Sequence, residues 1–281
     1  MKPQGRGVVA FLALWIPATL VAMFFALLHR DAAFIDGQYI PMGNDSFYHA
    51  RRVLDALGSG EVAQFDNRIH VPDGAWIPWP WGYDYLLVKT TQIAQWLSAG
   101  LDPMAYLAHV PVAWIAINTA LFLGVLTALG LPLGLRAIGM LAVALSALNQ
   151  QLHAIGMLDH HFVEYTFVLA NILLGLRWLR RPDNPRAALA LGVLLGVAPA
   201  FHNGLFILQI PMLACIFVLW LRGDAPPLKS IVQFSAALVV STLLIALPAQ
   251  ALHEGMFEFA LLSWFHVYIT FCSAICLTFI G

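Results

Sequence analysis

The sequence predicts an all-α protein, a polytopic bundle of about 8 transmembrane helices with one long outer loop after the first span. Of the 281 residues, 60% are hydrophobic and only 10% are charged, and the mean hydropathy is +0.79. Soluble globular proteins carry about 25% charged residues, so this composition indicates a membrane protein. Several apolar runs are also about 20 residues long, which is enough to cross a bilayer.

The first predicted span follows a basic N-terminus. Lys2 and Arg6 precede an apolar run from Val8 to Leu28. This run is longer than the apolar segment of a typical signal peptide, so we expect an uncleaved transmembrane helix. The three cysteines all lie in apolar runs and form no CxxC pattern, which indicates buried membrane thiols.

The segment at residues 29–105 is predicted to be an outer interfacial loop. Loops of this length are usually functional or disordered, and the many Trp and Tyr residues here argue against disorder. Apolar residues recur at helical spacing in Phe47–Leu57 and in Tyr85–Leu97. We therefore expect two amphipathic helices at the membrane interface, the depth that Trp and Tyr favour.

Seven further apolar runs complete the bundle, which we interpret as a single transmembrane domain spanning residues 1–281. A cytoplasmic N-terminus places most of the basic residues inside, with Arg177–Arg186 as the strongest anchor, and places the histidines on the outer side. The sequence thus predicts a multi-pass protein of the plasma (inner) membrane whose chemistry faces the outer, periplasmic side. The seven runs are residues 106–130, 132–151, 161–180, 187–202, 204–221, 229–249 and 260–280.

Two polar islands stand beside these apolar runs. The first, Gly43–Arg52, reads GNDSFYHARR. Asp45 and His49 are four residues apart, which places both side chains on one face of a helix. The alternative is that Asn44 or Asp45 is only the N-cap of that helix.

The second island, Gly156–Glu164, reads GMLDHHFVE and leads directly into the fourth span. The alternative to a functional role is a polar collar with a helix cap. Carboxylates and imidazoles are common ligands of divalent metals, and near lipid they are costly unless they are paired, hydrated or metal-bound. Both islands are predicted on the same face, and together they supply two carboxylates and an imidazole, a set that binds Mg²⁺ or Mn²⁺ readily.

Other polar residues on this face are weaker candidates for contact with a lipid phosphate. Arg52 and Arg68 could bind phosphate through their planar guanidinium groups, or could instead extend to the lipid headgroups. Arg51 and Arg52 are adjacent, so both cannot face one site. The predicted substrate-binding residues are His49, Arg52, Arg68, His160 and Glu164.

The order of these motifs resembles a known family. One apolar span is followed by G-N-D-x-x-Y-H-x-R-R, then by P-D-G-A-W-I-P-W-P-W-G-Y-D, and then by G-x-x-D-H-H-x-x-E. This order resembles the N-terminal half of the catalytic subunit of oligosaccharyltransferase, especially the archaeal and bacterial single-subunit forms. The resemblance implies a GT-C fold and the transfer of a glycan from a polyprenyl phosphate or diphosphate to the asparagine of an N-x-Ser/Thr sequon.

The resemblance also implies roles for individual residues. Asp45 matches the metal-binding aspartate of the family's first outer loop, and Asp159 and His161 match its D-x-H motif. The resemblance therefore implies that Asp45, Asp159 and His161 bind Mg²⁺ or Mn²⁺ and that Asp45 and Asp159 are the catalytic residues. Residues 8–180 carry this resemblance, whereas residues 187–281 share only a hydrophobic pattern.

The chain departs from the family after its last predicted span. Family members continue with further spans and a soluble domain whose W-W-D-Y-G motif holds the sequon, and that motif does not occur here. We therefore expect a truncated member, a compact relative with another acceptor, or a chain that needs a partner chain to supply the missing C-terminal half. The apolar ending Ile269–Gly281 favours truncation.

The sequence thus predicts a metal-dependent membrane glycosyltransferase that uses a polyprenyl-linked donor and an acceptor polypeptide. One alternative is a GT-C transferase that glycosylates a lipid or an envelope glycan. The other is a non-catalytic membrane protein or a transporter. Transporters place polar groups near the bilayer midplane, where this chain has only the isolated amides Asn118, Asn171 and Gln209. No nucleic-acid-binding pattern occurs.

Overall fold

The computed structural model describes the backbone from Pro3 to Ile280 and the side chains from Gly7 to Phe279. This part of the chain is mostly helical, with two short antiparallel hairpins in which β1 (Phe34–Ile35) pairs with β2 (Gln38–Tyr39) and β3 (Phe65–Asp66) pairs with β4 (Ala75–Trp76). The helices, in chain order, are α1 (Pro3–Leu27), α2 (Arg30–Ala33), α3 (Asn44–Ser59), α4 (Trp81–Leu97), α5 (Pro103–Ala128), α6 (Leu133–Leu145), α7 (Ala147–Leu152), α8 (His161–Arg180), α9 (Pro185–Val197), α10 (Gln209–Leu221), α11 (Leu228–Ala246), α12 (Gln250–His253) and α13 (Trp264–Ile280).

Every predicted span contains a helix or most of one, and one span contains two helices. Helices α1, α5, α8 and α11, together with α10 and the 3₁₀ turn before it, are long and apolar enough to cross a membrane. Helices α6, α9 and α13 are shorter apolar helices. The chain is therefore a polytopic helical membrane protein, as the sequence predicts. The predicted number of spans stays a prediction.

The span predicted at residues 132–151 is divided into α6 and α7. Ser146 separates them because its backbone is extended, with φ of −64° and ψ of 121°. Its side chain then caps α7 by accepting a hydrogen bond from the backbone N–H of Asn149, at 3.4 Å. An N-cap residue inside an apolar run thus ends one helix and begins the next.

Helices also form at both places predicted within the long outer loop, as α3 and α4. The buried face of α3 includes His49 and Arg52, and the buried residues of α4 include Asp84. Ionisable side chains therefore lie on the buried faces of both helices. The interfacial location of residues 29–105 and the single-domain assignment of residues 1–281 stay predictions.

The chain forms two compact units. The first contains the chain up to Val62 together with Asp84–Leu169, and the second contains Ala63–Tyr83 together with the chain from Ala170 onward. In the first unit, small buried alanines of α1 belong to the same core cluster as residues of α5 and α6. The hydroxyls of Thr19 on α1 and Thr119 on α5 form a hydrogen bond of 2.7 Å within this packing.

In the second unit, α9 and α11 approach closely because glycines face the backbone of α11. A Cβ atom at Gly192 would collide with the carbonyl oxygen of Phe234, and one at Gly196 would lie 2.6 Å from the carbonyl oxygen of Leu238. Trp178 at the end of α8 also stacks on Phe234 of α11, with ring centroids 5.0 Å apart. Close packing of apolar surfaces therefore stabilises the contacts of α11 with both α9 and α8.

Candidate functional site

Two glycines shape the backbone where the polar islands begin. Gly43 precedes α3 with φ of 87° and ψ of 152°, and Gly156 has φ of 83°, both of which favour glycine. A Cβ atom at Gly156 would lie 2.8 Å from the Cβ of Ala33. The backbone N–H of Met42 donates to the carbonyl oxygen of Gly156 at 2.8 Å. The main chain thus joins the two islands just before their ionisable residues.

Three side chains from these islands converge on one point. The Nε2 atom of His49 lies 3.2 Å from Nδ1 of His160, and Oδ1 of Asp159 lies 2.8 Å from the same Nδ1. One ligand atom from each of the three residues lies within 4.8 Å of the other two. His49 and His160 are only 1% and 3% exposed. We call His49, Asp159 and His160 the histidine–aspartate cluster.

His160 also takes part in a second, more exposed group with His161 and Glu164. The Nδ1 atom of His161 lies 2.6 Å from Oε2 of Glu164, and its Nε2 lies 3.5 Å from Oδ2 of Asp159. The side chain of His161 is 49% exposed. The hydrogen bond with Glu164 raises the pKa of His161 above its ordinary value despite partial burial, and the charges of Asp159, Glu164 and Asp45 add to this effect.

Asp159 is held in its ionised form. Burial is the largest single influence and would raise the pKa of its carboxyl group, but the hydrogen bond with His160 and the charges of His160, His161 and His49 together outweigh it. The pKa of Asp159 therefore lies below its ordinary value. The ionised carboxylate is the form that binds a cation.

A buried carboxylate that was not predicted as a site residue supports the cluster. Asp84 is 0% exposed, and its Oδ1 lies 2.7 Å from Nδ1 of His49. Its Oδ2 lies 2.5 Å from Nη1 of Arg52. A signal for Asp84 exists in the sequence, because it falls on the apolar face of the amphipathic helix that also carries Tyr83, Leu87, Val88 and Thr91.

A polar network holds the start of α8. The Nδ2 group of Asn118 donates to the carbonyl oxygen of Phe162 at 2.8 Å and faces Nε2 of His153 at 2.9 Å. The hydroxyl of Thr166 donates to Oδ1 of Asn118 at 2.6 Å. Burial lowers the pKa of His153 to about 4, so this imidazole is neutral at physiological pH. We interpret the network as a support for the residues at the start of α8.

The predicted site residues do not all lie together, because the arginines pair with other side chains. Arg52 is 2% exposed and pairs with Asp84, and Arg51 lies over the ring of Tyr48 at 4.5 Å. Arg68 belongs to the second unit, where its Nε lies 3.1 Å from Oδ1 of Asp66. In the first unit, the side chains of His49, Asp159, His160, His161 and Glu164 contact one another in sequence, and Asp45 acts on His161 through its charge.

This fold has counterparts among solved structures of oligosaccharyltransferase from Archaeoglobus fulgidus. The complex with Zn and sulfate matches with a TM-score of 0.80 and 18% identity, over 95% of this chain and 35% of that chain. AglB in complex with an inhibitory peptide and a dolichol-phosphate matches with a TM-score of 0.79 and 18% identity, over 96% of this chain and 32% of that one. The enzyme tethered to an acceptor peptide containing the NVT sequon matches with a TM-score of 0.78 and 17% identity, over 96% and 33%.

The chain has the fold of the N-terminal part of an archaeal oligosaccharyltransferase. It spans about a third of the length of the solved chains that it matches. The resemblance seen in the sequence is thus confirmed at the level of the fold. No protein-family model matches the sequence, and no curated protein matches it.

Proposed function

We propose that this chain is a membrane glycosyltransferase of the oligosaccharyltransferase type. It would transfer a glycan from a polyprenyl phosphate or diphosphate carrier to the asparagine of an acceptor polypeptide. The observation that carries the proposal is the convergence of His49, Asp159 and His160 in a chain with this fold. The solved structures with the same fold contain Zn and sulfate in one case and a dolichol-phosphate in another.

The residues of the site fit a divalent cation. We propose Asp159, together with His49 and His160, as its ligands on the buried side, and the predicted Asp45 and His161 as candidate ligands on the exposed side. Two imidazoles favour Zn²⁺ or Mn²⁺ over Mg²⁺, which prefers oxygen ligands. When bound, such a cation acts as a Lewis acid that neutralises the negative charge on a departing phosphate.

The chain also contributes groups that favour an anion at this place. Helix α3 begins at Asn44 and helix α8 begins at His161, so the positive ends of both helix dipoles lie at the polar islands. No side chain caps the start of α3. Its first backbone N–H groups are therefore suited to a carboxylate or a phosphate.

The predicted contacts to a lipid phosphate remain proposals. His160 belongs to both the buried and the exposed group, and Glu164 belongs to the exposed group and lies 3.8 Å from Nε2 of His160, which supports a role for both near the phosphate. Arg52 is buried against Asp84, which favours a supporting role for its guanidinium group. Arg68 is more than half exposed and remains available for a headgroup or a phosphate in addition to its pairing with Asp66.

We place the site on the outer face of the plasma membrane because the basic residues of the chain favour a cytoplasmic N-terminus. An acceptor polypeptide and the glycan donor would then meet on that face. A further polypeptide, continuous with this chain or separate from it, would supply acceptor contacts that the family places in its C-terminal half. Transfer to a lipid or an envelope glycan is the alternative outcome.

The proposal is tested with the 281-residue chain reconstituted in nanodiscs. The assay supplies a fluorescent short glycan on polyprenyl diphosphate, Mn²⁺ or Zn²⁺, and either a sequon peptide or a lipid acceptor. We expect the cation to promote release of the glycan from its carrier, and we expect EDTA and Asp159→Ala to abolish that release. Glu258→Ala, in the second unit, is the control and should keep full activity.

The acceptor arm separates the two enzyme hypotheses. Glycan on the peptide supports asparagine as the acceptor. Glycan on the lipid alone contradicts an asparagine acceptor and supports transfer to a lipid or an envelope glycan instead. Release of the glycan as a free sugar supports cleavage of the glycan from its polyprenyl carrier, but not its transfer to an acceptor. If no cation promotes glycan release under any of these conditions, the proposed function is wrong.

A further inference from the structure

Asp84 is a fully buried carboxylate whose two oxygens face different partners. Its Oδ1 lies 2.7 Å from Nδ1 of His49, and its Oδ2 lies 2.5 Å from Nη1 of Arg52. The three residues are 0%, 1% and 2% exposed, respectively. A buried carboxylate is costly unless it is paired, and Arg52 supplies a cationic partner for Asp84.

The local sequence explains why one carboxylate meets both partners. His49 and Arg52 are three residues apart on α3, so their side chains project from the same face of that helix. Asp84 lies in the first turn of α4 and is buried. One acidic residue opposite one face of α3 thus binds an imidazole and a guanidinium group at once.

The charge of Asp84 determines which nitrogen of His49 carries the proton. An ionised carboxylate accepts hydrogen bonds and donates none, so the Nδ1 atom that faces Asp84 must be the donor. A neutral imidazole has a single N–H group, so Nε2 keeps its lone pair. This Nε2 atom lies 3.2 Å from Nδ1 of His160, within the histidine–aspartate cluster.

We propose that Asp84 is a positioning residue that fixes the tautomer and the orientation of His49. It directs the Nε2 lone pair of His49 toward Asp159 and His160, where a cation would be bound. Arg52 completes the arrangement by holding the second oxygen of Asp84. This inference rests on the proposed function, because the residues that Asp84 serves are those of the proposed cation site. Replacing a carboxylate that orients a metal-binding histidine commonly weakens metal binding by about 10–100-fold.

The tautomer is measured on the metal-free protein by ¹⁵N NMR of the imidazole groups, with His49→Gln used to assign the signal. In the wild type we expect His49 to carry its proton on Nδ1. In Asp84→Asn, the single amide oxygen is taken by the cationic Arg52, so the amide NH₂ group faces Nδ1 and the proton moves to Nε2. Finding the proton on Nε2 in the wild type, or on Nδ1 in Asp84→Asn, would overturn the inference.

A second readout uses Zn²⁺ alone as the probe, in a competition titration of the full chain with a chromogenic chelator. We expect Asp84→Asn to weaken Zn²⁺ binding by about 10–100-fold. The matched control is Asp66→Asn, since Asp66 is also a buried aspartate paired with an arginine but lies in the second unit. Its Zn²⁺ affinity should equal that of the wild type.

The two readouts distinguish failure of this inference from failure of the proposed function. If the wild type binds no Zn²⁺, the proposed cation site is wrong, and the tautomer measurement still decides the role of Asp84. If the wild type binds Zn²⁺ and Asp84→Asn binds it equally well, the positioning role is wrong and the cation site stands. The tautomer of the wild type is informative even if Asp84→Asn does not fold.

Discussion

In the first unit, the starts of α3 and α8 meet through ionisable side chains, whereas in the second unit α9 and α11 meet through glycines and apolar side chains. The first contact buries His49, Arg52, Asp84 and His160. The second brings Gly192 and Gly196 against the backbone of α11. Both contacts join helices within a largely apolar chain, but they do so by different physical means.

The difference shows that helix packing in this protein does not require buried charge. Ion pairs contribute little net stability when buried, because desolvation offsets their attraction, although breaking one of them is costly. Close approach through glycines stabilises a helix pair without that desolvation cost. The ionisable side chains of the first unit are therefore better explained by chemistry than by folding.

The largest expected effect comes from breaking the charge network. Asp84→Ala should lower the free energy of unfolding by about 3–5 kcal/mol, because it removes the carboxylate that pairs with the buried guanidinium of Arg52. Asp66→Ala should cost less, about 1–2 kcal/mol, because Arg68 is 56% exposed and water can solvate it. Chemical denaturation in detergent micelles measures both. Equal losses in the two variants would contradict the contrast between the two regions.

A pH effect of intermediate size is expected from His153. Its pKa is about 4 in the folded protein, against an ordinary value of 6.5, because the imidazole is buried. Between these values the unfolded chain binds more protons than the folded one, so stability is complete above pH 6.5 and falls as the pH drops toward 4. The total loss is about 3 kcal/mol.

This loss is measured as the thermal midpoint against pH for the wild type and for His153→Gln. The wild type should lose stability more steeply than the variant between pH 6.5 and pH 4, because the variant lacks the titrating group. The contributions of the other histidines cancel in the difference between the two curves. Parallel curves would show that His153 is not held neutral by burial.

A smaller effect tests the contact between α9 and α11. Gly192→Ala should lower the free energy of unfolding by about 1–3 kcal/mol, because the new methyl group meets the backbone at Phe234. Gly134→Ala on α6 is the matched control, since nothing lies within 4 Å of its added Cβ. It should be neutral or stabilising by up to about 1 kcal/mol, because alanine favours helix more than glycine does. Both variants should bind Zn²⁺ as the wild type does. A loss of Zn²⁺ binding in Gly192→Ala alone would contradict a purely structural role for the contact between α9 and α11.

The helices and the polar islands could be predicted from the sequence because both are local patterns. Apolar runs predict spans, and a glycine followed by ionisable residues beside such a run indicates a functional loop. The pairing of Asp84 with His49 could not be predicted in this way, because the two residues are 35 positions apart and meet only through tertiary packing. Helical periodicity places Asp84 on a buried face, but it does not name its partner.

The sequence could not show which of His160 and His161 is buried. The two residues are adjacent, and the resemblance to a D-x-H motif assigned the metal to His161. In the structure, His160 precedes α8 and turns inward with 3% exposure, whereas the side chain of His161, the first residue of α8, is 49% exposed. That difference depends on the backbone at the helix start, which composition and spacing do not determine.

The most direct test of the buried cation site is zinc K-edge X-ray absorption on the Zn²⁺-loaded protein, because it counts the imidazoles bound to the metal. The histidine–aspartate cluster predicts a shell with at least two imidazole nitrogens at about 2.0–2.1 Å, together with carboxylate oxygen. It also predicts that His49→Gln removes one imidazole from the shell. A shell that contains a single imidazole and is unchanged in His49→Gln would assign the metal to Asp45, Asp159 and His161 instead, and would contradict the buried site.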